Sequence, residues 1–249
     1  MESPFYVIVQ GGFVLLTLVY ISLFIRELHK GLAFTAWENS QKIKFITTII
    51  VALLSWAVFV TAWSTSGKMS DFSLFPLNIM PVILIPIIIA LLFITSKKVT
   101  EILRHIPPEN LIRLQSFRFF VEVLLWMLFI SDLLPVQMTF EGKNLDILTG
   151  ITAPVIAVLA SKGRISKTGI IIWNLVCLAL LINIVAIAIL STPSPWRVFM
   201  NEPANYIVTW FPISLLPGFL VPLAYYLHFM SLKQMNSARF TRLAARHTS

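Results

Sequence analysis

The chain alternates between long apolar runs and short polar, mostly basic connections. Seven of the runs are long enough to cross a bilayer, which takes ~20 residues per helix. They lie near residues 5–25, 43–63, 76–95, 114–134, 146–161, 168–190 and 205–230. The fifth is short, and we expect it to begin in the polar segment around Asn144. Strands of a membrane barrel alternate apolar and polar residues, whereas these runs are apolar throughout, so the pattern predicts helices. A helix also satisfies its backbone groups internally, as the hydrocarbon core demands. The first run does not read as a cleavable signal peptide. Glu2 is the only charge before it, it outruns an h-region, and no small-x-small exit follows.

Composition points the same way. Of 249 residues, 57% are apolar and 12% charged, where a soluble domain carries roughly 25% charge. Mean hydropathy is +0.85. Such a chain cannot cover itself with polar surface in water. That excludes a soluble globular domain, a disordered chain, a collagen and a small disulfide scaffold, and leaves an all-α polytopic membrane protein. The lysines and arginines then orient it. Fifteen lie in the first, third and fifth connections and the C-terminal tail, three in the remaining connections, and Arg118 lies inside the fourth run. This alternation predicts seven spans with the N-terminus outside and the C-terminus cytoplasmic. A single transmembrane domain would cover 1–232 and a basic cytoplasmic tail 233–249. The net charge of +8 is in this reading a topology signal, so no nucleic-acid partner is expected. The tail segment Arg239–Phe240–Thr241–Arg242–Leu243 reads either as a short amphipathic helix on anionic headgroups or as a solvated basic tail.

An internal repeat stands out. Span three reads FPLNIMPVILIP and span seven FPISLLPGFLVP, so both carry F-P-x4-P-x4-P, from Phe75 and from Phe211. The four-span offset suggests a parallel 3+1+3 plan, with span four as the linker. Parallel repeats occur among transporters. No match joins spans one and five, or two and six, and chance likeness of two proline-kinked helices is the alternative. Each proline removes a backbone hydrogen bond and frees a carbonyl, which neighbouring helices must satisfy.

Span four holds the most informative polar residues. Gln115, Arg118, Glu122, Trp126 and Phe129 recur at steps of three or four and so share one helical stripe. Arg118 and Glu122 are i,i+4 neighbours able to pair directly. A charge at that depth is costly and should face the bundle interior with a partner. The pair reads as an ion or substrate site, or as packing glue. Beyond it, Glu141, Asn144 and Asp146 cluster in MTFEGKNLDILTGITAP. Asn144 could cap span five with Asp146 in its first turn. The alternative is an outward-facing cation or ligand site. Asn174 and Asn183 in span six read as interhelical hydrogen-bonders, and His228 as an interfacial or hydrogen-bonded residue rather than a ligand. The loop STPSPWRVFMNEPA reads as an aromatic interface anchor or a lid.

Several classes lack their motifs. Span seven has no lysine for a retinal Schiff base, D-R-Y and N-P-x-x-Y are missing, and His228 is the one intramembrane histidine where a b-type haem needs two. H-E-x-x-H, G-x-S-x-G and Walker motifs are missing too. Cys177 is the single cysteine, which rules out an intramolecular disulfide and a thiolate cluster. No cofactor, resident metal or catalytic residue is expected.

The segments MTFEGKNLDILTGITAP, IIWNLVCLALLINIV and FPISLLPGFLVPLAYYLH resemble a family of bacterial seven-helix membrane proteins without assigned function, best from Pro107 to Leu232. The resemblance implies a bacterial inner-membrane protein and no substrate. From the residues themselves we expect a small-solute or ion carrier in the lipid bilayer. Spans three, four and seven would line its cavity, with Arg118 and Glu122 as the binding pair. The alternatives are a membrane enzyme acting on a lipid or quinone near Glu141, Asn144 and Asp146, and a structural subunit of a homo-oligomer or larger membrane complex.

Overall fold

The computed structural model describes residues 4–236, and the basic segment 239–243 lies outside them. The fold is all-α. Its helices are α1 (Pro4–Ala33), α2 (Asn39–Thr65), α3 (Met80–Thr95), α4 (Lys97–Leu103), α5 (Pro108–Leu114), α6 (Phe117–Phe129), α7 (Ile147–Ser161), α8 (Lys167–Leu190) and α9 (Val221–Met235).

Three helices, Phe5–Ala33, Asn39–Thr65 and Lys167–Leu190, are long and apolar enough to cross a membrane. The pair α3 and α4 makes a fourth if taken as one span bent by 77°. The remaining apolar runs are not single long helices. The fourth breaks at Gln115–Ser116 between α5 and α6. The fifth is α7, an apolar helix of 15 residues. The seventh opens in turns, passes through a π-helical turn over Leu216–Leu220 and only then becomes α9.

Proline explains much of this breaking. Pro81 occupies the first turn of α3, where its missing N–H has no intrahelical duty, whereas Pro222 follows directly on the π-helical turn. In both copies of the repeat the opening Phe–Pro bond is cis. A freed carbonyl finds its donor on α2. Pro222 cannot donate to Gly218 O four residues back, and Trp56 Nε1–H donates there instead at 2.8 Å. Trp63 Nε1–H donates to Asn78 O at 2.8 Å, just before α3. The two copies also pack against each other, α3 on α9.

The main core gathers round α6, which buries Phe117, Val121, Leu124, Leu125 and Leu128 against α1, α8 and α9. Polar bonds hold the C-terminal part of α1 in place. Asn110 Nδ2 and Lys30 Nζ both donate to Glu27, at 2.7 and 2.9 Å. Gln234 Nε2 donates to Leu103 O and Ile106 O, both at 2.8 Å, satisfying carbonyls at the end of α4.

After α6 the chain turns back through a short 3₁₀ turn, Val136–Met138, and runs down α6 in antiparallel register. Glu141 meets Trp126, Asn144 meets Glu122, and Asp146 meets Arg118. Gly142 is required in this segment, since a Cβ there would stand 2.3 Å from Val136 O. The chain then enters α7, which lies chiefly on α5 and α6. At Gly150 a Cβ would fall 2.2 Å from Phe119 N, so glycine sets how closely α7 approaches α6.

Candidate functional site

Four segments bring polar side chains to one buried cluster: α6, the start of α7, α8 and α9. Arg118 is 2% exposed. Its Nε–H donates to Asp146 Oδ2 at 2.5 Å, and Nη2 closes an ion pair on Asp146 Oδ1. Nη1 meets His228 Nε2 at 2.9 Å, and Nη2–H donates to Cys177 O at 3.3 Å. Four of the five guanidinium N–H groups are thereby engaged.

The network also sets the histidine tautomer. Asn174 Nδ2 donates to Ile170 O at 2.9 Å and to Ser231 Oγ at 3.0 Å. Its Oδ1 is therefore the atom that faces His228 Nδ1 at 2.9 Å, and it must accept. His228 then carries its proton on Nδ1, and Nε2 accepts from Arg118. The ring is neutral by geometry. His228 is fully buried against Trp173, so of its two readings, interfacial or hydrogen-bonded, the second describes it.

Glu122, one turn beyond Arg118, is far less engaged. It accepts from Asn144 Nδ2 at 2.6 Å. The expected direct pairing with Arg118 does not form, because Arg118 turns to Asp146, whose carboxylate can meet the guanidinium with both oxygens. The expected capping by Asn144 is replaced as well. Asn144 holds the descending chain, donating to Met138 O at 3.0 Å and accepting from Asp146 N–H at 3.0 Å. Asp146 directly precedes α7 but makes no side-chain cap, since both its oxygens face Arg118.

Beside this cluster lies a cavity of about 80 Å³. Its walls come from α3, α6, α8 and the proline-rich start of α9, and Ile83, Val121, Leu181 and Leu220 make them apolar. Arg118, Glu122 and Asp146 reach it from one side. Thr192 and Asn205, from the connection between α8 and α9, line it as well. Asn205 is fully buried; its Nδ2 donates to Ala188 O at 3.1 Å, and its Oδ1 has no hydrogen-bond partner.

Of the five residues singled out by sequence, four meet here: Arg118, Glu122, Asn144 and Asp146. Glu141 does not. It lies exposed and accepts from Trp126 Nε1–H at 2.6 Å. An enzyme site built on Glu141, Asn144 and Asp146 together is therefore not formed. His228, Thr192 and Asn205 were not anticipated. His228 and Ser231 lie three residues apart, so they share a face of α9 that could have been matched to Asn174. Asn205 looks like any loop asparagine, and nothing in the sequence marks it. Among the described residues no group of three or more histidines, cysteines, aspartates or glutamates is placed to hold a metal ion. Cys177 is a buried free thiol.

Comparison with known proteins gives one family. Residues 74–236 match the model described as "Domain of unknown function (DUF8737)", and the chain belongs to that family. The match spans the repeat, the cluster and the cavity walls, and leaves α1 and α2 outside it. No curated protein and no solved structure matches the chain.

Proposed function

We propose that this member of the DUF8737 family is a seven-pass protein of a bacterial inner membrane that carries a small solute or ion through the cavity beside Glu122. Two physical arguments support seven passes. From Pro108 to Phe129, α5 and α6 together rise ~33 Å at 1.5 Å per residue, against a hydrocarbon core of ~30 Å. The fifth pass would be half irregular chain and half α7. Irregular backbone is tolerated at membrane depth only where protein buries it, and Gln137, Met138, Thr139 and Asn144 are all buried. On this reading α7 begins near the bilayer midplane, beside Arg118. Broken helices that start at the midplane are a recurring way to build carrier sites.

The observation that carries the reading is Glu122, a buried carboxyl with one hydrogen bond, facing an apolar cavity inside the bundle. An ionisable side chain so placed is costly and marks a pathway by default. The 3+1+3 plan would make the proline-broken α3 and α9 its moving walls. The test is flux into proteoliposomes loaded with a pH-sensitive dye, under gradients of ammonium, methylammonium, sodium and acetate. We expect protein-dependent flux of at least one probe, lost in Glu122→Gln. No flux of any probe by folded protein would sink the carrier.

A second reading, a subunit of a larger membrane complex, draws on α2. That helix buries only Val60 and Ser64 and leaves Ile43, Val51, Leu54 and Val58 exposed. Native mass spectrometry in mild detergent separates the two, since a subunit retains a stoichiometric partner and a carrier does not.

A further inference from the structure

We propose that the cavity is a binding site for one small primary ammonium ion, held by Glu122 and Asn205. The inference rests on the cavity being a binding site and narrows its solute to a cation with an apolar body.

Charge is the first argument. Arg118 and Asp146 cancel each other, and the hydrogen-bond pattern keeps His228 neutral. Glu122 then leaves the buried set one negative charge in excess. Among the described residues Arg118 is the only cationic side chain lining the cavity. A buried charge without a counter-charge is strongly disfavoured. Either a proton on Glu122 or a bound cation balances it.

The second argument separates those two, and it is independent of charge. Asn205 Oδ1 is an acceptor with no donor in a fully buried side chain. Its orientation is set from behind. Ala188 O can be met only by the amide NH2, so the carbonyl oxygen must point the other way. Thr192 adds another acceptor. Its hydroxyl proton is given to Ile189 O at 2.6 Å and one lone pair meets the Ser194 hydroxyl at 3.2 Å, which leaves one lone pair on a side chain that also lines the cavity. Of the donors on the lining, Asn205 Nδ2 is given to Ala188 O, the Thr192 hydroxyl to Ile189 O, and four of the five Arg118 N–H groups are already engaged. The cavity therefore presents acceptors and lacks donors. A proton on Glu122 neutralises the charge but supplies nothing to Asn205. An ammonium group carries the positive charge and up to three N–H donors together.

The walls select among cations. Calcium takes six to eight oxygens and magnesium a full octahedron. Bare alkali ions likewise need a ring of oxygens to replace their hydration shell. This cavity offers a carboxylate, one amide oxygen and one hydroxyl among aliphatic side chains. A short alkyl group on nitrogen fits that surface. The volume of about 80 Å³ is well under the ~150 Å³ that accepts benzene, so the body should be a few atoms at most.

The test is thermal melting and calorimetric titration of the purified full chain in mild detergent. Methylammonium chloride is the probe, and sodium chloride and sodium acetate at matched ionic strength are the controls. We expect saturable stabilisation by methylammonium alone. Glu122→Gln should weaken it by roughly a hundredfold or more, and Asn205→Leu by about tenfold. If Glu122→Gln does not fold, Asn205→Leu carries the test, because it removes no charge. Three results overturn the proposal: no saturable response to methylammonium, an equal response to sodium chloride, or an unchanged response in the folded variants. Occupancy by a proton alone gives the first of these. Saturable binding without flux would keep this site and reject the carrier. Flux that survives Glu122→Gln would keep a carrier and reject this site.

Discussion

Arg118 and Glu122 sit one helical turn apart on the same buried face of α6, yet their surroundings differ sharply. Arg118 is held by Asp146, His228 and the Cys177 carbonyl, from three other segments of the chain. Glu122 is held by Asn144 alone and faces a cavity. The closed end ties α6, α7, α8 and α9 together. The open end keeps unused bonding capacity. The difference teaches that a buried charge seen in a sequence can be structural or functional, and that the number of its partners tells which.

The contrast can be broken most directly at Arg118. Arg118→Ala leaves Asp146 buried and unpaired, which costs ~3–5 kcal/mol. We expect loss of folded protein by detergent size-exclusion and melting. The double variant Arg118→Met with Asp146→Leu should recover most of it, since an apolar pair of similar volume can replace a buried ion pair. Failure of that rescue would show that the pair does more than hold the helices.

Gly150→Ala attacks the same end through the backbone. Its added Cβ would collide with Phe119 N and Cα, which cannot yield as a flexible side chain would. Overpacking of this kind costs ~1–3 kcal/mol, and α7 should retreat from α6. Crosslinking between cysteines placed on those two helices should fall.

His228→Leu removes one acceptor from Arg118 and one donor from Asn174, and should cost ~1–3 kcal/mol. Melting should drop less than in Arg118→Ala. Glu122→Gln sharpens the comparison from the other side. It keeps an acceptor for Asn144 and removes the excess charge, so melting in the absence of ligand should change by under ~1 kcal/mol. A large loss of stability there would put Glu122 among the structural groups with Arg118.

The smallest effect belongs to an exposed pair. In the loop after α8 Arg197 donates to Glu202 at 2.9 Å and, with Ala204 N–H, holds that carboxyl below the usual carboxylate range. A depressed folded-state pKa stabilises above the unfolded value of ~4.3 and loses that contribution as pH falls through the lowered one. Arg197→Ala should therefore alter melting slightly at neutral pH and not at all in strong acid.

How far the sequence reached can be read from single residues. Arg118 and Glu122 were legible because a charge inside an apolar run is conspicuous whatever the fold. Asp146 and Asn144 were legible as a polar cluster, but their partners were not. The natural guess from i,i+4 spacing was a local pair, and tertiary packing offered Arg118 a bidentate carboxylate from twenty-eight residues away. His228 read as interfacial or hydrogen-bonded, and only folding, which brings Asn174 next to it, chose between the two. Asn205 carried no signal at all. Helix lengths were overestimated for a related reason: an apolar run shows that a segment avoids water, not that it is one unbroken helix.

The apolar runs, their prolines and the placing of lysine and arginine are properties of the chain read residue by residue. They determined an all-α molecule with helices able to cross a membrane, and a family likeness centred on its later part. Hydrophobicity and proline act locally, so sequence order suffices to read them. Which charges pair, which carboxyl stays open and where a cavity remains depend on groups far apart in the chain that meet only on folding. The tertiary structure alone decided that Asp146 would neutralise Arg118, and so left Glu122 facing the cavity with one bond.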